Sequence, residues 1–209
     1  MTRLDIITDP VCPWCLIGKV ELDRALESRP DHPFTITWHP FRLNPTMPPE
    51  GMDRVAYLRA KFGDQAEDVV KVQAERAAAL GLTLNPSPRQ PDTTDAHRLM
   101  HWAGLEGAQT AVMSGLLNAH WYDAEDIGNA ETLTRIAEAA GMDATLTARL
   151  LASDADRDEV IRREQHARQR GINSVPTFII SDAHAVSGAQ PAALWQNVID
   201  EIMAASPQP

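Results

Sequence analysis

Asp9-Pro10-Val11-Cys12-Pro13-Trp14-Cys15 is the stretch that decides how this chain folds. Before it, Arg3 to Thr8 is a short apolar run containing Ile6 and Ile7, the pattern of a buried strand. After it, Leu16, Val20, Leu22 and Leu26 recur as in a helix. Cys12 thus falls where a helix begins, beside unpaired backbone N–H groups and the positive end of the helix dipole. Those groups stabilise an anion, and a thiolate is the reactive form of cysteine. Pro13 sits at a first-turn position, where its missing N–H costs nothing and its fixed φ suits the helix. Cys15 lies on the same helix face one turn deeper. It can attack a mixed disulfide formed on Cys12, so Cys12 reads as the nucleophile and Cys15 as the resolving thiol.

Outward from this point, Phe34, Ile36 and Trp38 alternate with Thr35, Thr37 and His39, a period of two that marks a second strand. Strand, helix, strand implies a parallel pair joined by a right-handed crossover. From Met52 to Gln169 the pattern is helical. Asp53 opens one segment, Thr93 or Thr94 caps another, Asn129 caps a third, and Asp154 opens the last, which stops at Gly171. Asn85 to Pro91 is a Pro-rich connection. The β pattern then returns in Thr177 to Ile180 and His184 to Ser187, and Pro191 opens a final helix. The expected architecture is α/β: residues 1–50 and 171–209 form one discontinuous domain, interrupted by a large all-helical insertion at 51–170.

The 209 residues carry 44% hydrophobic and 23% charged side chains, ordinary for a globular chain. The formal net charge of −10 speaks against nucleic acid, which needs clustered Lys and Arg. The one Arg-rich stretch, Arg157 to Arg170, is interleaved with Asp158, Glu159 and Glu164, as on a solvated helix face. The first ten residues are too short and too charged for a signal peptide, and no run approaches the ~20 apolar residues of a membrane span. Both cysteines sit in the CxxC, which leaves none for a structural disulfide and fits a cytoplasmic location.

Half a zinc site is the competing reading of the motif. Zinc needs four ligands and there is no second CxxC, although His97 and His101 have the i, i+4 spacing that could complete a set with Cys12 and Cys15. The expectation is redox chemistry and no metal. His39 is a candidate proton acceptor near Cys15, with a hydrogen-bonded core histidine as its alternative. Asp9 is either a proton shuttle or a turn former. His97 is a candidate for the active-site groove only through the family resemblance described below, whereas Trp102, Trp121 and Tyr122 read as core of the insertion.

The set DPVCPWC (9–15), WHPFRLNP (38–45), TDAHRLMHWA (94–103), SVPTF (174–178) and SGAQP (187–191) resembles the DsbA-like thioredoxin superfamily, in particular its cytoplasmic FrnE-like branch. The similarity runs from about Asp5 to Val198. It implies a thioredoxin fold with a helical insertion, and a cis peptide bond between Val175 and Pro176 facing the cysteines. It also implies that the backbone at Val175, Pro176 and Thr177 pairs with an extended substrate segment. The implied activity is dithiol–disulfide exchange or isomerisation on protein or small-molecule substrates, in a monomer or homodimer. The sequence departs from the family twice. Met203 to Pro209 lacks the second cysteine motif of some FrnE-like proteins. Trp14 stands where periplasmic DsbA has histidine, and an aromatic adds no positive charge beside the thiolate, so a milder potential is expected. The alternative is a glutathione-dependent transferase or isomerase of the kappa or hydroxychromene-carboxylate isomerase type, in which serine usually occupies the Cys12 position. No cofactor is implied beyond glutathione as a co-substrate. Its cysteine backbone would lie on Val175, and its γ-glutamyl carboxylate at the helix N-terminus near Ala189 and Gln190.

Overall fold

β1 (Thr2–Thr8) is the inner strand on which the sheet is built. It pairs in parallel with β2 (Phe34–Pro40) and antiparallel with β5 (Thr177–Ile180), and β5 pairs antiparallel with β6 (His184–Ser187), giving the order β2-β1-β5-β6. The computed structural model describes residues 1–205; the last four residues of the expected 171–209 segment lie outside them. Side chains alternate across β1, so Leu4 and Ile6 enter the main core with Phe178 and Ile180, while Ile7 joins Ile179 in a second, smaller cluster. Two helices, α1 (Pro13–Glu27) and α9 (Ala192–Ala205), pack together, and Trp195 of α9 meets the Phe178 ring edge-on at 4.6 Å. β1, α1 and β2 form the expected crossover unit.

Seven helices lie between β2 and β5: α2 (Arg54–Phe62), α3 (Ala66–Ala78), α4 (Thr94–Glu106), α5 (Gln109–Trp121), α6 (Ala130–Ala139), α7 (Ala144–Leu151) and α8 (Arg157–Gln169), with a 3-10 turn at Gly63–Gln65. The segment is not all helix. β3 (Met52–Asp53) and β4 (Arg89–Gln90) form a two-residue antiparallel ladder, too short to leave a period-two signal. Asp53 and Asn129 cap α2 and α6, each side chain accepting first-turn N–H groups. At α4 neither Thr93 nor Thr94 provides the oxygen. Asp92 does, accepting from the Thr94 N–H at 3.0 Å and the Thr94 hydroxyl at 2.7 Å. α8 begins at Arg157, three residues after Asp154, and ends before Gly171, whose φ of +84° is the left-handed stop that glycine adopts freely.

Arg98 on α4 is fully buried and holds the insertion together. It donates to the carbonyls of Leu150, Ser153 and Ala155 at 2.6–2.7 Å, so a cation sits on the C-terminal end of α7. α8 packs on both α4 and β2, and thereby joins the insertion to the sheet. Its buried Glu164 accepts from Arg42 at 2.6 Å and from Arg168 at 2.8 Å, fixing the loop that follows β2. No helix among the described residues is long and apolar enough to cross a membrane.

Candidate active site

Cys12 occupies the N-cap of α1 with extended backbone (φ −89°, ψ 119°), and its carbonyl accepts the first helical N–H groups, from Cys15 at 3.0 Å and Leu16 at 3.3 Å. The chain folds this way because Pro13, at N1, cannot continue β1 yet fits a first turn. The Cys12 thiol lies 3.6 Å from the Val175 carbonyl, in donor orientation. Val175–Pro176 is a cis peptide bond. The turn around it is fixed by Thr177, whose hydroxyl donates to Ser174 O at 2.8 Å, and by Gly188, whose N–H donates to Pro176 O at 2.8 Å. Two sequence segments at opposite ends of the chain therefore form one site.

Cys12 and Cys15 are both free thiols and both buried. Burial pushes the Cys15 thiol well above the ordinary cysteine range, and the adjacent Cys12 sulfur adds to this; the Thr8 side chain and the Asp9 backbone N–H pull the other way. The two cysteines share a small apolar cluster with Ile7, Phe41, Ala167, Val175 and Ile179, against which Trp14 also packs. Trp14 lines a shallow groove with Val69 and Val72 of α3, beside the motif.

Around the pair the loop is fastened by long-range bonds. Asp9 is almost fully buried and accepts from the Leu43 N–H at 2.7 Å, which makes it a tie between the motif turn and the segment after β2. Trp121, at the end of α5, donates its indole N–H to Pro10 O at 2.9 Å. On α1, Gly18 faces Pro176: a Cβ there would stand 3.0 Å from the proline ring. Of the sequence candidates, Cys12, Cys15, Pro13, Trp14, Val175, Pro176 and Thr177 come together. His97 is buried beside them, its Nε2 at 3.7 Å from Asp9 Oδ1 and without a hydrogen-bond partner.

His39 and Gln190 go elsewhere. His39 projects from the β2 face onto Asp5, Nε2 to Oδ1 at 2.7 Å, and its Nδ1 meets Arg163 at 3.0 Å. It is therefore tied to Asp5 and Arg163 instead of to Cys15, and burial lowers its pKa against the pull of Asp5. The Gln190 amide donates to Ser187 O at 2.8 Å. At the N-terminus of α9 the Ala192 N–H donates to the buried Glu21 carboxylate at 2.9 Å. His101 turns to Arg163, whereas His97 lies beside Asp9, and no group of three or more metal-ligating side chains occurs among the described residues. Sequence reasoning missed Thr8, Gly18, Glu21 and Trp121 as parts of the site's support. Only Gly18, a glycine inside a helical pattern, left a signal in the sequence.

A mixed sheet of this order with a CxxC dithiol on the first helix defines a thioredoxin-fold thiol protein. The chain belongs to the DSBA-like thioredoxin domain family, a family of thiol oxidoreductases, whose sequence profile matches residues 3–200. Among solved structures it is similar to a probable DsbA oxidoreductase from Streptomyces coelicolor, with 29% identity and a TM-score of 0.86 over 100% of this chain and 93% of that one. At lower identity it shares the fold of a 2-hydroxychromene-2-carboxylate isomerase (17%, TM-score 0.72, 96% of each chain). It shares it also with the cytosolic disulfide reductase DsbM of Pseudomonas aeruginosa with GSH (16%, TM-score 0.69, 97% of this chain and 99% of that one).

Proposed function

We propose that this protein is a FrnE-like disulfide oxidoreductase of the cytoplasm that reduces or exchanges disulfides through the Cys12–Cys15 pair. One observation carries the reading: Cys12 stands at the head of α1 against the Val175 carbonyl, with Cys15 buried one turn behind it. In the first step the Cys12 thiolate attacks one sulfur of a substrate disulfide, and the other sulfur leaves as a thiolate that takes a proton. In the second, Cys15 loses its proton and attacks the Cys12 sulfur, which breaks the mixed disulfide and releases the second substrate thiol. The substrate gains two electrons and two protons; the protein is left with a Cys12–Cys15 disulfide.

An extended substrate segment pairs beside Val175 and Pro176, while its side chains reach the Trp14 groove. Glutathione suits the step that returns the protein to the dithiol: two molecules supply the two electrons and leave as glutathione disulfide. Its cysteine backbone would lie on Val175. The isomerase alternative has only the shared fold in its favour, and a second cysteine argues for exchange. Insulin reduction in dithiothreitol is the test. The wild type accelerates precipitation of the B chain and Cys12→Ser does not; equal acceleration by Cys12→Ser would overturn the assignment.

A further inference from the structure

Arg163 on α8 is half-buried, and its guanidinium meets two imidazoles and no carboxylate. One nitrogen donates to His39 Nδ1 at 3.0 Å, another to His101 Nδ1 at 3.2 Å. A guanidinium only donates, so both ring nitrogens are bare acceptors. His39 then carries its proton on Nε2, which it donates to Asp5 at 2.7 Å. With Nδ1 accepting, neither ring offers Arg163 a negative charge, and the carboxylates that attract it, Glu159 and Asp5, make no direct ion pair with it. The acids nearby are already engaged: Asp5 also holds Arg3 Nε at 2.7 Å, and Glu159 pairs with Arg162. Among the described residues Arg163 forms no ion pair; burial weakens its hold on its proton, while Glu159 and Asp5 act the other way.

A partly buried cation that makes no direct ion pair gains from an anion placed against it. Arg163 lines a cavity of about 800 Å³ between α8 and the outer face of β1, within the size range of small-molecule sites. Arg170 and Arg162, the latter paired with Glu159, lie at its rim, and the two carboxylates in the lining, Asp5 and Asp182, are both engaged by Arg3. The floor is apolar, formed by Ile7 and Ile179 with Ile172, and these residues also pack in the cluster that contains both cysteines.

We propose that this cavity binds a small organic anion, its carboxylate on Arg163 and its apolar body on Ile7 and Ile179. None of these groups takes part in thiol exchange, so the site stands or falls separately from the redox assignment. The Cys12→Ser/Cys15→Ser protein is the reagent that separates them. Hexanoate and its neutral counterpart hexanamide are titrated into it at low ionic strength, followed by ligand-detected NMR and calorimetry. Hexanoate should bind saturably at one site and hexanamide at least roughly tenfold more weakly, the loss expected for a charge-assisted hydrogen bond. Arg163→Met should weaken hexanoate by a similar factor while leaving the circular dichroism of the fold intact. Should that variant unfold, Arg162→Ser/Arg170→Ser, both exposed positions, must still weaken binding several-fold. Equal affinity for acid and amide, no saturable binding of either, or unchanged binding in the Arg162/Arg170 variant would overturn the proposal.

Discussion

The thiol of Cys12 lies 3.6 Å from the carbonyl oxygen of Val175, a residue 163 positions later in the chain. In the proposed exchange that contact sets the Cys12 sulfur beside the backbone at which an extended substrate would pair. It also sets the two cysteines apart, because Cys15 is left behind Cys12 in apolar surroundings.

Selective labelling follows. Burial and the neighbouring sulfur hold Cys15 in its thiol form well above the ordinary cysteine range, whereas Cys12 sits at the anion-stabilising end of α1. With limiting iodoacetamide near pH 8, peptide mass spectrometry should find the label on Cys12 first. Preferential labelling of Cys15 would contradict the assignment of roles.

Gly18 is expected to resist substitution. An alanine ordinarily gains about 0.5–1 kcal/mol over glycine inside a helix. Here its Cβ would press on Pro176 at 3.0 Å and on the Phe178 ring at 3.4 Å. Overpacking typically costs about 1–3 kcal/mol, so Gly18→Ala should lower stability and slow insulin reduction several-fold by displacing Pro176 from the cysteines. Denaturant titration and the reduction assay check this. A more stable variant with unchanged rate would show that Pro176 has room to move.

His120 makes the fold acid-sensitive. Burial and the Arg54 charge push its pKa down to about 3, and neither ring nitrogen has a partner. The unfolded chain protonates near pH 6.5 and the native one only near 3, so between these values the unfolded state binds the extra proton. Stability from this group is complete above about pH 6.5 and falls by about 1.4 kcal/mol per pH unit as the pH drops toward the folded value. His120→Leu loses no hydrogen bond and should flatten the pH dependence of the urea midpoint between pH 6.5 and 4.5. An identical slope in wild type and variant would place the acid sensitivity elsewhere.

The parts of this molecule legible in the sequence are those whose cause is local. A strand, a proline and a cysteine at a helix start lie within fifteen residues, so the position of Cys12 and Cys15 on α1 follows from the residues themselves. The alternation of Phe34, Ile36 and Trp38 likewise shows the second strand. What escaped depends on partners distant in the chain. Nothing near Trp121 announces that its indole ties Pro10, 111 positions away. His39 has the sequence context of a core histidine, and only folding shows Asp5 and Arg163 on either side of it. The Asp92 cap escaped because Thr93 and Thr94 are equally good cap residues one and two places later. Glu21 reads as a surface residue of α1 until α9 sets its N-terminus upon it.

The most direct test traps the first covalent intermediate. Cys15→Ser, equilibrated with glutathione disulfide and analysed by intact and peptide mass spectrometry, should hold one glutathione on Cys12 as a stable mixed disulfide. Under the same conditions the wild type should pass through that adduct to the Cys12–Cys15 disulfide, losing two hydrogens and carrying no glutathione. An adduct that persists on the wild type, or a Cys15→Ser protein that takes up none on Cys12, would contradict exchange through this pair.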